Sequence, residues 1–316
     1  MSVSRRTFLE VAGAAAAAMP FQTRARRYTL EPGANGKVLK DPAGRVVLAY
    51  LTSKPDGLAG NSACCIHPLN TLAGERVTDL APPDHKDHRG VFFAWHNVEF
   101  KKGTEVLKGD FWGWGRYAPV EERVIVNKDV RLVRADAGTA ELTVANDWMI
   151  AQQVVMQEAA TIGVSEGRGA RVLDLAYRLS SDYDVTVNQM AFTGACFRCR
   201  KDGPYTFFDP QGEVKLPDST ATNPASDWPA QPWYSHQVTL PDGKVLSSAL
   251  IDHPGNPPSL WHGARSVSFL NPCIAAAQVV QIPAGKPLIL RYRAVAFDGA
   301  IPAGMLDQMS AAWRGK

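Results

Sequence analysis

In RVLDLAYRL, residues 171–179, Val172, Leu173, Leu175, Tyr177 and Leu179 are set to one apolar face, and Asp174 and Arg178 to the other. A period of two is that of a strand, because successive side chains of an extended backbone point to opposite sides. The same texture returns in KVLKDPAGRVVLAYLTS, ERVIVNKDVRLVRADAGTAELTVANDW and KPLILRYRAVAFDG, with Asp-Gly, Pro-Ala-Gly or Asn-Lys-Asp at the joints. Alternating runs cut by such turn signals predict antiparallel strands joined by hairpins. Helical spacing is confined to the end of the chain, where Met305, Leu306, Met309 and Trp313 recur in AGMLDQMSAAWRG. No repeat of ~20 to 50 residues and no strand–glycine loop–helix unit stands out. The expectation is an all-β chain: one large antiparallel β-sandwich over residues 28–316, with few helices. A long Pro-rich loop near 203–232 is expected to lie over its surface as a candidate lid.

The first 25 residues are set apart. SRRTFLEVAGAAAAAMP pairs Arg5 and Arg6 with Phe8-Leu9 and a short Ala-rich run, the pattern of a bacterial Tat export signal. The expected partner is therefore the Tat export machinery, and the expected location is the periplasm or the exterior. The Ala run is too short to anchor in a bilayer, and no other window approaches ~18 uninterrupted apolar residues, so no membrane span is expected. Hydrophobic residues at 45%, charged residues at 21% and a net charge of +3 are ordinary globular values. With no basic run interleaved with aromatics, no nucleic-acid partner is implied. The five cysteines, Cys64, Cys65, Cys196, Cys199 and Cys273, have no secreted-framework spacing. The lone C-x-x-C at 196–199 lacks the second pair of a structural zinc site, so the thiols are read as buried or incidental.

Chemistry concentrates in two loops. DHKDHRGVFFAWH, residues 84–96, opens with Asp84, His85, Asp87, His88 and Arg89 behind Pro82-Pro83, then turns at Gly90 into an aromatic, β-branched run. It reads as a loop delivered to the mouth of a strand. Imidazole and carboxylate suit a divalent metal, but without H-E-x-x-H or H-x-H the spacing is a weak metal signal. The second loop, ALIDHPGNPPSLWHGAR, carries Asp252, His253, Asn256, Trp261 and His262 among prolines and glycines. Convergence of the two loops on one site is the expected arrangement.

DHKDHRGVFFAWHNVEF, DFWGWG, QEAATIGV, RVLDLAYRL and the 249–265 loop together resemble a family labelled PmoA-like, or methane oxygenase PmoA, over about residues 40–316. That family's leading motif resembles D-H-P-H-H-R-G-L-F-F-A-W-G. Asp84, His85, His88, Arg89, Gly90 and Trp95 fit it, whereas Asp87 replaces a histidine and His96 a glycine. The label implies membrane methane oxidation, which a chain without a spanning segment does not fit. The resemblance implies instead a fold like the galactose-mutarotase supersandwich and a carbohydrate substrate.

On that analogy, acid and base must flank a sugar ring, and histidine serves both roles near neutrality. His88 and His253 are the expected pair, with His262 beside them and Glu158 and Asp252 as carboxylate partners. Arg89 would hold a sugar oxygen or an oxyanion. His85 and Asn256 would bind substrate, and Trp95, Trp112 and Trp261 would stack on it. The expected activity is an exported carbohydrate-active enzyme, an epimerase, lyase or glycoside-cleaving protein, without a cofactor. Two alternatives stand beside it: a non-catalytic sugar-binding protein, and a metal enzyme using His85, His88 and a histidine of the 253–262 loop.

Overall fold

The computed structural model describes residues 27–215, 229–264 and 266–313. The leader, with its predicted Tat signal, lies outside the described residues. The chain begins with seven short strands: β1 (Thr29–Gly33), β2 (Gly36–Lys40), β3 (Val46–Leu51), β4 (Cys65–Leu69), β5 (Val91–Ala94), β6 (Val98–Lys102) and β7 (Glu105–Gly109). Four long strands follow as hairpins: β8 (Arg123–Ala135), β9 (Thr139–Ile150), β10 (Gln153–Gly167) and β11 (Ala170–Ser180). Next come β12 (Asp184–Val187), β13 (Gly194–Arg198), β14 (Tyr205–Asp209), β15 (Gly212–Glu213), β16 (Trp233–Thr239), β17 (Val245–Asp252), β18 (Leu260–Ala264) and β19 (Val267–Cys273). Helix α1 (Ile274–Ala277), β20 (Val280–Ile282), β21 (Leu288–Asp298) and helix α2 (Met305–Trp313) complete it.

The all-β expectation holds, with antiparallel pairing throughout the ladders that carry the site. One sheet runs β1-β2-β3-β4-β5-β13-β19-β18, a second β15-β14-β16-β17-β21-β11-β10-β9-β8, and a third β20-β12-β6-β7. The first two face each other across the main core. Phe93 stacks on Tyr177 with ring centres 4.9 Å apart, and Trp95 meets Trp148 at 5.7 Å. Phe100 and Val185 of the third sheet close the same apolar cluster.

Two expectations change. Leu173, Leu175, Tyr177 and Leu179 enter the main core, but Val172 faces the opposite way. There it meets Trp233, Ile251 and Val295 under the apolar side of α2, supplied by Met305, Leu306, Met309 and Trp313. A strand covered on both faces has no reason to alternate, which is why Val172 and Leu173 sit side by side. The region read as a loop over 203–232 begins as a hairpin, β14 and β15, paired to β16. Residues 216–228 lie outside the described residues. Among the described residues no helix is long and apolar enough to cross a membrane.

Candidate functional site

The loop from Asp84 to Gly90 is a series of tight turns: the His85 amide donates to Pro82 O and the His88 amide to His85 O. Gly90 ends it with φ +56, and a Cβ there would lie 2.1 Å from Ile66 O, so only glycine admits the chain into β5. The turns stack the His85 and His88 rings with centres 4.6 Å apart. Strand β13 pairs with β5 and brings Arg198 beneath the loop. Its Nη2 donates to both Asp84 oxygens at 2.8 and 2.7 Å, and Lys201 Nζ lies 2.9 Å from Asp84 Oδ2. Burial works against the ionised Asp84, but Arg198 and Lys201 outweigh it and hold this carboxyl well below its usual range.

Arg198 Nη1 lies 3.4 Å from His88 Nδ1. A guanidinium can only donate, so Nδ1 accepts and the ring proton resides on Nε2, 4.0 Å from Asp87 Oδ2. Burial, reinforced by Arg198, holds the His88 imidazole well below its ordinary pKa and keeps it neutral. Burial also raises the Asp87 carboxyl, against the opposing pull of His85 and Arg89. His85, Asp87, His88, Trp112, Trp114 and Phe269 enclose a cavity of about 50 Å³.

The wall opposite is built by one carboxylate. Asp110 accepts from the amides of Gly113 (2.8 Å), Trp114 (3.1 Å) and Gly115 (2.7 Å), pinning the WGWG turn. Pinned this way, the turn holds Trp114 40% and Tyr117 48% exposed, with the Arg116 guanidinium over both rings at 5.2 and 5.3 Å. His96 is buried beneath them. Its Nε2 stands 2.9 Å from Ala191 O, which makes that nitrogen the donor, and its ring meets Trp114 edge-on at 5.6 Å.

The other predicted residues are placed as follows. Arg89 is fully buried and donates to Trp112 O (3.0 Å), Phe111 O (3.2 Å) and Asp87 O (3.2 Å), tying the two site loops together rather than reaching a ligand. Glu158 lies in the core, where it accepts from Asn146 Nδ2 and Trp148 Nε1, each at 2.9 Å. Burial pushes its carboxyl up to about 7, and it does not line the cavity. Trp95 and Trp261 are wholly buried, the latter donating to Gln231 O, and Trp112 offers the cavity only an edge of its wall.

The two loops converge by half. His262 on β18 puts its ring 3.6 Å from that of Phe192, which with Phe269 forms the back wall of the cavity. His253 does not join it. It lines a separate depression with Asp252 and Asn256, packs edge-on against Trp313 at 4.8 Å, and its Nδ1 accepts from the Gly255 amide. The reason is topological: β17 ends at Asp252 in the nine-stranded sheet, whereas β18 belongs to the eight-stranded one. The intervening turn spans the two sheets, and Asp252 and Asn256 serve it. Asp252 accepts from Asn256 Nδ2 (2.7 Å) and Ser259 Oγ (2.5 Å), and Asn256 grips both backbone groups of Arg291. Burial raises the Asp252 carboxyl to about 6. No three His, Cys, Asp or Glu side chains among the described residues are grouped to hold a metal, so the trio of the metal alternative is not assembled.

Three participants escaped the sequence reading. Asp87 has no catalytic role in the sequence pattern, where it stands as a polar member of the 84–90 loop and a departure from a motif; Trp114 stands only inside DFWGWG, and Arg198 is not singled out at all. Arg198 carries no local signal, since its role comes from strand pairing.

A family model described as a family of unknown function (DUF6807) matches residues 40–311. No curated protein matches. Among solved structures, a galactose mutarotase related enzyme from Lactobacillus acidophilus is similar at 8% identity and TM-score 0.39, over 87% of this chain and 99% of that one. A galactose 1-epimerase from Lactobacillus acidophilus NCFM is similar at 8% identity and TM-score 0.34, over 86% and 95%. A GH36 alpha-galactosidase from Geobacillus stearothermophilus is similar at 9% identity and TM-score 0.38, over 87% of this chain and 41% of that one.

Proposed function

The chain belongs to DUF6807, a family of unknown function, and from that premise we propose that it is an exported carbohydrate-active enzyme working by proton transfer on a sugar. The observation that carries this reading is the exposed Trp114 indole on the same cavity as the Asp87 carboxyl and the His88 imidazole. A sugar presents an apolar C–H face and a rim of hydroxyls, and an exposed indole beside hydrogen-bonding groups answers both. The enclosed space of about 50 Å³ takes a ring substituent, not a whole ring. The ring therefore rests on Trp114 and Tyr117 and directs one hydroxyl or one C–H inward.

The division of labour differs from a histidine pair. His88 already carries its proton on Nε2 and faces Arg198 through Nδ1, so it donates a hydrogen bond to a developing oxyanion or to a leaving oxygen. Asp87, raised in pKa yet able to ionise, is the base. His85, stacked on His88 and partly exposed, orients a hydroxyl. These roles fit proton abstraction beside a carbonyl, as in a lyase or epimerase acting on a keto sugar; cleavage of a glycosidic bond would require the reverse role for Asp87, protonated and giving its proton to the leaving oxygen. Delivery through the Tat route, on Arg5 and Arg6, completes the proposal.

The test is a screen of mono- and oligosaccharides, including 3-keto sugars, for product formation by the mature protein and by Asp87→Asn. Turnover by the first and a loss of at least about 100-fold in the second is the expected result. Binding without turnover would make the protein a sugar receptor, and neither binding nor turnover would end the carbohydrate reading.

A further inference from the structure

On the outer face of the nine-stranded sheet, well separated in its lining from the histidine pocket, lies a groove of about 550 Å³ between β14–β17 and the start of α2. Its size falls in the range of small-molecule sites, about 300–1,000 Å³. The strand period builds its floor: Trp233, Ser235 and Gln237 are alternate residues of β16, and Gln237 pairs with Ser247 of β17. Ser247 is occupied, donating to Gly299 O at 2.7 Å. Ser235 is only 4% exposed, and no hydrogen bond links its hydroxyl to any described residue, although it faces the groove. Its hydroxyl opens onto the groove, where a polar ligand atom can meet it.

Two carboxylates flank this floor. Asp209, 9% exposed, uses Oδ1 to accept from the Gln211 amide, and Asp307 uses Oδ1 to accept from Trp233 Nε1. In each the second oxygen has no protein partner among the described residues. Among the described residues no Lys, Arg or His lines the groove, so two carboxylates face it without a cation beside them. A neutral sugar would satisfy Ser235 and Gln237 but leave that charge unanswered, whereas an acidic one would be repelled. We propose that this groove is a second ligand site, for an amino sugar: hydroxyls on Ser235 and Gln237, and a protonated amine between Asp209 and Asp307.

Calorimetric titration at about pH 6, where an aliphatic amine is protonated, tests it with a β-1,4-linked glucosamine trimer and its fully N-acetylated counterpart. These share a skeleton and differ in charge. The proposal expects one equivalent of the free-amine trimer to bind, the acetylated form to bind at least about tenfold more weakly, and Asp209→Asn and Asp307→Asn each to cost about tenfold. Asparagine keeps the Oδ1 acceptor in both, and Asp307 is exposed, so the second variant reports even where the first fails to fold. Equal binding of the two trimers, no binding of either, or affinity indifferent to both substitutions would overturn it. Because the histidine pocket plays no part, activity there can stand or fall separately.

Discussion

Burial favours the uncharged form of both Asp87 and His88, raising the carboxyl and lowering the imidazole. If Asp87 is the base, activity must rise with pH as this carboxyl ionises, on a limb displaced upward from the ordinary carboxylate value of 3.8. His88 adds no limb near neutrality because it is already neutral there. A pH–rate profile of the wild type checks both statements. Asp87→Asn should lose about 10²- to 10⁴-fold in kcat while its thermal midpoint moves by less than about 4 °C. Glu158 gives a prediction of a different kind. Its carboxyl rises from 4.5 to about 7 on folding, so the folded state binds the proton more tightly than the unfolded one. The stabilisation is complete below about pH 4.5 and is lost as pH climbs through about 7, a change on the order of 3 kcal/mol. Burial lowers His67 to about 4 and His236 to about 3, which shifts stability the other way. The loss is therefore read as a difference: the gap in urea-unfolding stability between wild type and Glu158→Gln should fall by that amount across the window. A constant gap would place the titration elsewhere.

The WGWG turn behaves as a unit because Asp110 satisfies three consecutive amides. Replacing it frees those donors and lets the turn move, which separates two tryptophans that look alike in sequence. Trp114→Ala should weaken sugar binding by about tenfold with little change in stability, since an exposed ring contributes mainly to a ligand. Trp261→Ala should cost about 3–5 kcal/mol of stability, because it empties a fully buried site. Calorimetric binding and thermal unfolding of the two variants decide it; reversed effects would relocate the platform. The strand character of 171–179 was legible because alternation is a local property, and so was the loop at 84–90, where Pro82-Pro83 and Gly90 bracket the polar residues. Which tryptophan is exposed was not legible, because exposure depends on what packs across from it. Arg198 was hidden for the same reason: only the pairing of β13 with β5 carries it under Asp84 and His88. His253 and His262, nine positions apart in one polar loop, were read together, yet the chain changes sheet between them.

At the scale of the molecule, the two large sheets close a core that holds all five thiols. Cys65, Cys196, Cys199 and Cys273 are at most 1% exposed and Cys64 6%. Burial raises each thiol well above 9.0, so little reactive thiolate forms in the folded protein. This bears on the proposed route. A protein carried across the membrane already folded meets the oxidising compartment with its cysteines enclosed, whereas one threaded through unfolded would expose them to pairing on the far side. Titration of protein purified from the periplasm should therefore find no reactive thiol in buffer and five after denaturation. Three or fewer would mean that a disulfide had formed, and with it that the chain had crossed or opened before the core closed. Arg5→Lys/Arg6→Lys should leave the precursor in the cytoplasm with the same five thiols. Normal delivery of that variant would remove the twin-arginine route and the protection it gives.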